Sequence, residues 1–97
     1  MSKNQIALSS LAMDLKRVAV GYHRGSITMA SRFLDEALKR KSDVDSTTVK
    51  PYVKKLLNKV ELLKTEKDLE KLAEDALMYS ALFKNASLKT KYNNKTT

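Results

Sequence analysis

LSSLAMDLKRVAVGYHRGSITMASRFLDEALKRK, residues 8–41, decides the architecture of this chain. Stepping 100° per residue from Leu8 gathers Leu8, Leu11, Ala12, Leu15, Val18, Ala19, Tyr22, Met29, Ala30, Phe33 and Ala37. They share an arc about 120° wide, the width of a core-facing stripe on an amphipathic helix. The apolar phase crosses Gly25-Ser26 without a break. It predicts one continuous helix from Leu8 to Lys41, about 50 Å long at 1.5 Å per residue.

Beside this stripe, Met13, Val20, Ile27 and Leu34 recur every seven residues. Such a repeat either widens the core face or meets a second helix along a seam. The second reading makes these four residues the interface of a homodimer. The remaining arc holds Ser10, Asp14, Arg17, Gly21, Arg24, Gly25, Thr28, Arg32, Asp35 and Lys39 and faces water. Gly21 and Gly25 are either tolerated helix glycines or places where a partner approaches the bare backbone.

Outward from this stretch, Ser2 with Gln5 three residues on fits a capping box and starts helix near Lys3. Residues 42–46, SDVDS, form a polar connection. A second helix is expected from Thr47 or Thr48, with Pro51 in its first turn, where the missing N–H does little harm. Its apolar face is Val49, Tyr52, Val53, Leu56, Leu57, Val60 and Leu63. Lys50, Lys54, Lys55 and Lys59 flank that face, as snorkelling side chains or as a binding surface. Thr65-Glu66-Lys67-Asp68 resembles a capping box and opens a third helix with an acidic start, which is expected to neutralise the preceding lysines. From Lys89 onward the chain is polar and lysine-rich, without a stripe.

The expected fold is therefore all-α: one long N-terminal helix with two shorter helices packed on it. Two short helices cannot cover a 50 Å helix, so self-association completes the bundle. Ninety-seven residues make one domain, residues 1–88, followed by a disordered basic tail over 89–97.

Composition narrows the function classes. The chain has no cysteine, so disulfide, thiol and thiolate–zinc chemistry are excluded. No stretch approaches 18 apolar residues, the length of a membrane span, and no apolar leader follows Met1. A cytoplasmic protein without membrane, metal or cofactor is expected. The net charge is +8. Half of that excess lies after residue 83, where Lys84, Lys89, Lys91 and Lys95 stand without an acid. A basic balance attracts nucleic acid, anionic surfaces or acidic partners.

All four arginines lie on the quoted stretch. Arg17, Arg24 and Arg32 recur at seven and eight residues on its solvated arc, roughly 10–12 Å apart. Guanidinium groups suit bidentate phosphate contacts. The expected function is thus a small non-enzymatic helical module that binds nucleic acid or another polyanion along Arg17, Arg24 and Arg32, with Lys89 and Lys91 adding contacts. Asp14 and Asp35 share that arc and could pair with the arginines instead. A protein–protein adaptor or immunity-type helical protein with incidental charge is the alternative.

Arg17-Val-Ala-Val-Gly-Tyr-His23 resembles, over seven residues, the arginine-to-histidine motif of the HEPN helical ribonucleases. In that family the pair is implicated in RNA cleavage, which would give Arg17 the phosphorane charge and His23 the proton transfers. Val18 stands where the family carries a polar residue, the motif lies early in the chain, and the two side chains project about 120° apart on a helix. The residues themselves lead to a protein without catalysis.

Overall fold

The computed structural model describes residues 2–96, and the side chains of residues 2–89. Four α-helices pack together: α1 (Lys3–His23), α2 (Ile27–Lys41), α3 (Pro51–Leu62) and α4 (Leu69–Thr96). A 3-10 turn, Leu63–Thr65, leads out of α3. No strand occurs among the described residues.

The single long helix expected over Leu8–Lys41 is instead a hairpin of two. Gly25 takes φ +75°, the left-handed region open to glycine. The Gly25 N–H donates to the Tyr22 carbonyl at 2.9 Å and the Ser26 N–H to the Gly21 carbonyl at 2.8 Å. This pair of bonds is a Schellman motif, which satisfies the carbonyls at a helix end. Ser26 then caps α2, its Oγ accepting from the Met29 N–H at 3.1 Å. One three-residue turn, Arg24-Gly25-Ser26, closes one helix and opens the next. It also returns α2 with its core residues on the phase α1 would have continued, so periodicity alone registers no turn.

At Gly21 the two helices of the hairpin cross closely. A Cβ built there would lie 2.8 Å from the Ala30 nitrogen, inside the backbone of α2. The partner that approaches the bare backbone of Gly21 is the next helix of the same chain.

The remaining boundaries follow local capping. Ser2 caps α1 as expected, accepting from the Gln5 N–H at 3.0 Å. Neither Thr47 nor Thr48 caps α3. Lys50 occupies that position with Pro51 as the first helical residue, while the Thr47 hydroxyl and N–H bond the Asp45 carboxylate. The expected start of α4 at Thr65 gives way to Asp68, whose Oδ1 accepts from the N–H groups of Glu70 and Lys71 at 3.0 and 3.2 Å. Aspartate is among the best N-caps. Expected as a short helix, α4 is the longest. Its bounds enclose most of the stretch 89–97 expected as a disordered tail, of which only the Lys89 side chain is among those described.

α1 stands between α2 and α4 and packs extensively on both. Leu8, Leu11, Leu15 and Val18 are fully buried, with Phe83 and Val60 from the other side. Burying each such side chain contributes roughly 1.5–3 kcal/mol. Small residues bring α1 and α4 close. The Ser80 hydroxyl donates to the Ala12 carbonyl at 2.6 Å and the Ser87 hydroxyl to the Gln5 carbonyl at 3.2 Å. Seven residues forward on α4 match seven residues back on α1, so the two run antiparallel, with Met13 level with Tyr79. α3 contributes Val53, Leu57 and Val60 to the core. The loop before it is clasped by Asn4, which accepts from the Asp45 N–H at 2.9 Å and donates to the Thr48 hydroxyl at 2.7 Å.

Candidate nucleic-acid interface

The hairpin rearranges the arginines. Arg17 and Arg24 belong to α1 and its C-cap, Arg32 and Arg40 to α2, so no single-helix row of Arg17, Arg24 and Arg32 exists. Two of the four are engaged internally. Asp14 is buried on the α1–α2 seam, with Arg17 Nη1 at 3.6 Å from Oδ1 and Arg40 Nε at 4.0 Å from Oδ2. Arg17 also lies over the Phe33 ring, 5.3 Å from its centroid, and Arg40 reaches Asp43 at 3.4 Å. Burial pushes the Asp14 pKa above its ordinary value, and the opposing pull of Arg40 and then Arg17 does not cancel it. The Asp14 Oδ2 and Arg40 Nε atoms are both buried without a hydrogen bond, so this pair joins two helices through charge and not through a made bond. Arg24 and Arg32 are exposed and make no ion pair among the described residues.

The lysines of α3 differ. Lys50, Lys54, Lys55, Lys59 and Lys64, over residues 50–64, are all exposed, and Glu61 is the only acid in that segment. Glu61 is already held by Lys41 of α2 at 2.7 Å. None of the five lysines makes an ion pair with the described residues. The acidic start of α4 does not neutralise them as expected. Glu66, just before α4, and Asp75 within it turn to Lys71 at 3.0 and 3.8 Å. The Lys71 ammonium holds the Glu66 carboxyl below its usual range, and Glu66 in turn raises the Lys71 pKa. Lys89 comes from α4 onto the same side, its Nζ 5.7 Å from the centroid of the half-exposed Tyr52 ring. Lys91 lies outside the described side chains. The spacing of the α3 lysines fits both snorkelling stems and a binding surface; the scarcity of acids between Lys50 and Lys64 is the signal for a surface.

The interface residues are likewise divided. Met13 is 53% exposed and Val20 half-buried on the outer face of α1. Ile27 and Leu34 belong to α2, where Leu34 is buried in the core. The turn at Gly25 therefore splits the four-residue stripe between two helices: Met13 and Ile27 are half exposed, Val20 is half-buried and Leu34 is in the core. Met13 borders an open groove of about 470 Å³ between α1 and α4, lined also by Lys16, Leu77, Ala81 and Lys84.

Arg17 and His23 have separate neighbours. His23 is exposed and meets the Tyr22 ring edge-on at 5.5 Å, while Arg17 is occupied by Asp14 and Phe33. Among the described residues no three histidine, aspartate or glutamate side chains are grouped to hold a metal ion, and no helix is long and apolar enough to cross a membrane. No protein-family model matches the chain, and no curated protein or solved structure matches it either.

Proposed function

We propose that this chain is a non-enzymatic helical module that binds nucleic acid through the lysine face of α3. The observation that carries the reading is the set of unpaired, exposed ammonium groups on Lys50, Lys54, Lys55, Lys59 and Lys64 beside a single acid already held by Lys41. Lys50 and Lys54 stand on one edge of the α3 apolar stripe and Lys55 and Lys59 on the other, so the two pairs border the exposed side of the helix and can meet phosphates on either side of it. Lys89 and Tyr52 extend the face at its N-terminal end.

Ammonium groups act here as point charges. They displace the counterions condensed on a phosphate backbone, so binding is favoured by ion release and weakens steeply with salt. They carry no fork to read base edges, so little sequence preference is expected. Arg24 and Arg32 are available for outlying contacts, whereas Arg17 and Arg40 would first have to leave Asp14.

The test is fluorescence anisotropy with labelled duplex DNA and RNA across 50–200 mM salt. Replacing Lys50, Lys54, Lys55 and Lys59 together with glutamine should weaken binding at least tenfold. The slope of log K against log salt should fall by about 0.9 for each lost phosphate contact on B-DNA. Circular dichroism should be unchanged, because all four are exposed. A parent protein that does not bind at 50 mM salt, or a quadruple variant that binds as the parent does, overturns the reading.

A further inference from the structure

We infer that the outer face of α1 and α4 is the site for a second copy of this chain, docked antiparallel about a two-fold axis through Met13 and Tyr79. The inference does not rest on the nucleic-acid reading. Glu70, Glu74, Leu77, Ala81, Lys84 and Leu88 are spaced four, three, four, three and four along α4, and all are exposed. This is the a/d spacing of a coiled-coil seam, yet among the described residues no helix covers it. The core residues Ala73, Ala76, Phe83 and Ala86 occupy other positions.

The seam is self-complementary only when reversed. Turned end for end about residue 79, Leu77 meets Ala81 of the second copy, Glu74 meets Lys84, and Glu70 meets Leu88. Two symmetric Glu74–Lys84 pairs then flank an apolar centre. A parallel pairing would set Glu70 and Glu74 against their own copies and Lys84 against Lys84, an arrangement disfavoured by like-charge repulsion.

α1 gives the same centre independently. Ile6, Met13 and Val20 lie seven apart on its outer face, and Ile6 and Met13 are 51% and 53% exposed. Reversed about Met13, this column sets Ile6 against Val20 of the second copy and Met13 against Met13. Lys16 and Arg17 then fall opposite Ser10 and Ser9, so no basic pair collides. The hydrogen bonds from Ser80 to Ala12 and Ser87 to Gln5 place Met13 level with Tyr79 within one chain. One axis therefore serves both columns. The groove where Met13 meets Leu77 and Ala81 shows the two columns side by side.

The seam from Glu70 to Leu88 is about 27 Å long and two helices, about 20 Å, wide. That is the low end of the size range of specific interfaces, so a dimer with micromolar affinity is expected.

Sedimentation equilibrium of the full chain over 5–200 µM tests this. The parent should approach twice the 11.0 kDa chain mass. Glu74→Lys and Lys84→Glu should each weaken self-association at least fivefold, because each places like charges together twice. Mixed one to one, the two variants should recover a dimer as stable as the parent's, since every contact is then between opposite charges. Met13→Glu should give a monomer with unchanged circular dichroism. A parent that stays monomeric to 200 µM, an assembly larger than two, a dimer indifferent to Met13→Glu, or single variants that fail to restore one another overturns the proposal.

Discussion

Two regions of this molecule are rich in cations and use them differently. On the α1–α2 hairpin, Asp14 and Asp43 take up Arg17 and Arg40. On α3 and its two ends, five lysines stand beside one acid, and that acid is committed to Lys41. The number of basic residues in a segment does not measure the charge it can offer. What matters is whether carboxylates reach them: Arg17 finds Asp14 and Arg40 finds Asp43 three residues away in the chain, and the turn at Gly25 adds the Asp14–Arg40 contact by bringing α2 back along α1.

The contrast can be broken at its origin. Gly21→Ala would normally stabilise a helix by about 1 kcal/mol. Here the added methyl meets the α2 backbone at 2.8 Å. A net loss of about 1–3 kcal/mol is expected, as for overpacking, with a thermal midpoint lower by about 4–8 °C per kcal/mol. Differential scanning calorimetry reads this directly, and a raised midpoint would show that the helices do not cross at Gly21.

A comparison of binding sharpens the contrast next. Arg17, Arg24 and Arg32 changed together to glutamine should reduce nucleic-acid affinity less than threefold, against at least tenfold for the four α3 lysines. Equal losses would mean that Arg24 and Arg32, together with an Arg17 released from Asp14, carry as much of the binding as the lysines do.

Acidity separates the two regions further. The folded-state pKa of Asp14 lies above its ordinary value of 3.8. The folded chain therefore keeps a proton that the unfolded chain has released, and the Asp14 contribution to stability falls as pH rises through that window. Asp14→Asn cannot ionise, so it should melt above the parent near neutral pH and converge with it below about pH 4. Asp45 and Glu66 have the opposite sign. Their pKa values are lowered, by Thr47 and by Lys71 respectively, so their contributions are present near neutral pH and lost as pH falls. Asp45→Asn and Glu66→Gln should lower the neutral melting point and leave the acidic one unchanged. The smallest effect is expected at Lys89→Ala. An exposed cation–π contact contributes roughly 0.5–1 kcal/mol, which calorimetry should just resolve.

Much of the helical content was legible in the residues. Leu8, Leu11, Leu15 and Val18 are buried as their spacing requires, and Ser2 caps as its partner Gln5 suggests. The reversal at Gly25 was not legible from periodicity, because phase is known only modulo a full rotation. Direction of travel does not enter it. The local chemistry did carry the signal: a glycine followed by serine is a helix stop and a helix start. Asp14 illustrates a second limit. Its place on the wheel suggested water, yet the returning α2 buries it. The lysine face was hidden for a related reason. Whether an acid neutralises a lysine depends on which helices become neighbours, and Glu66 and Asp75 turn to Lys71 instead.

The two hydrogen bonds that seat α4 on α1 join residues 68 and 82 positions apart, and this has a consequence in time. The hairpin of α1 and α2 is complete once Lys41 has been made, but Ser80 and Ser87 do not yet exist. At 5–20 residues per second, a ribosome takes roughly 2–9 s to travel from residue 41 to residue 87. Through that interval the side of α1 that α4 will cover, with Ala12 and Leu8, has no lid. A chain terminated before Ser80 would keep it bare and would be the species most exposed to aggregation, whereas a chain that includes α4 closes it.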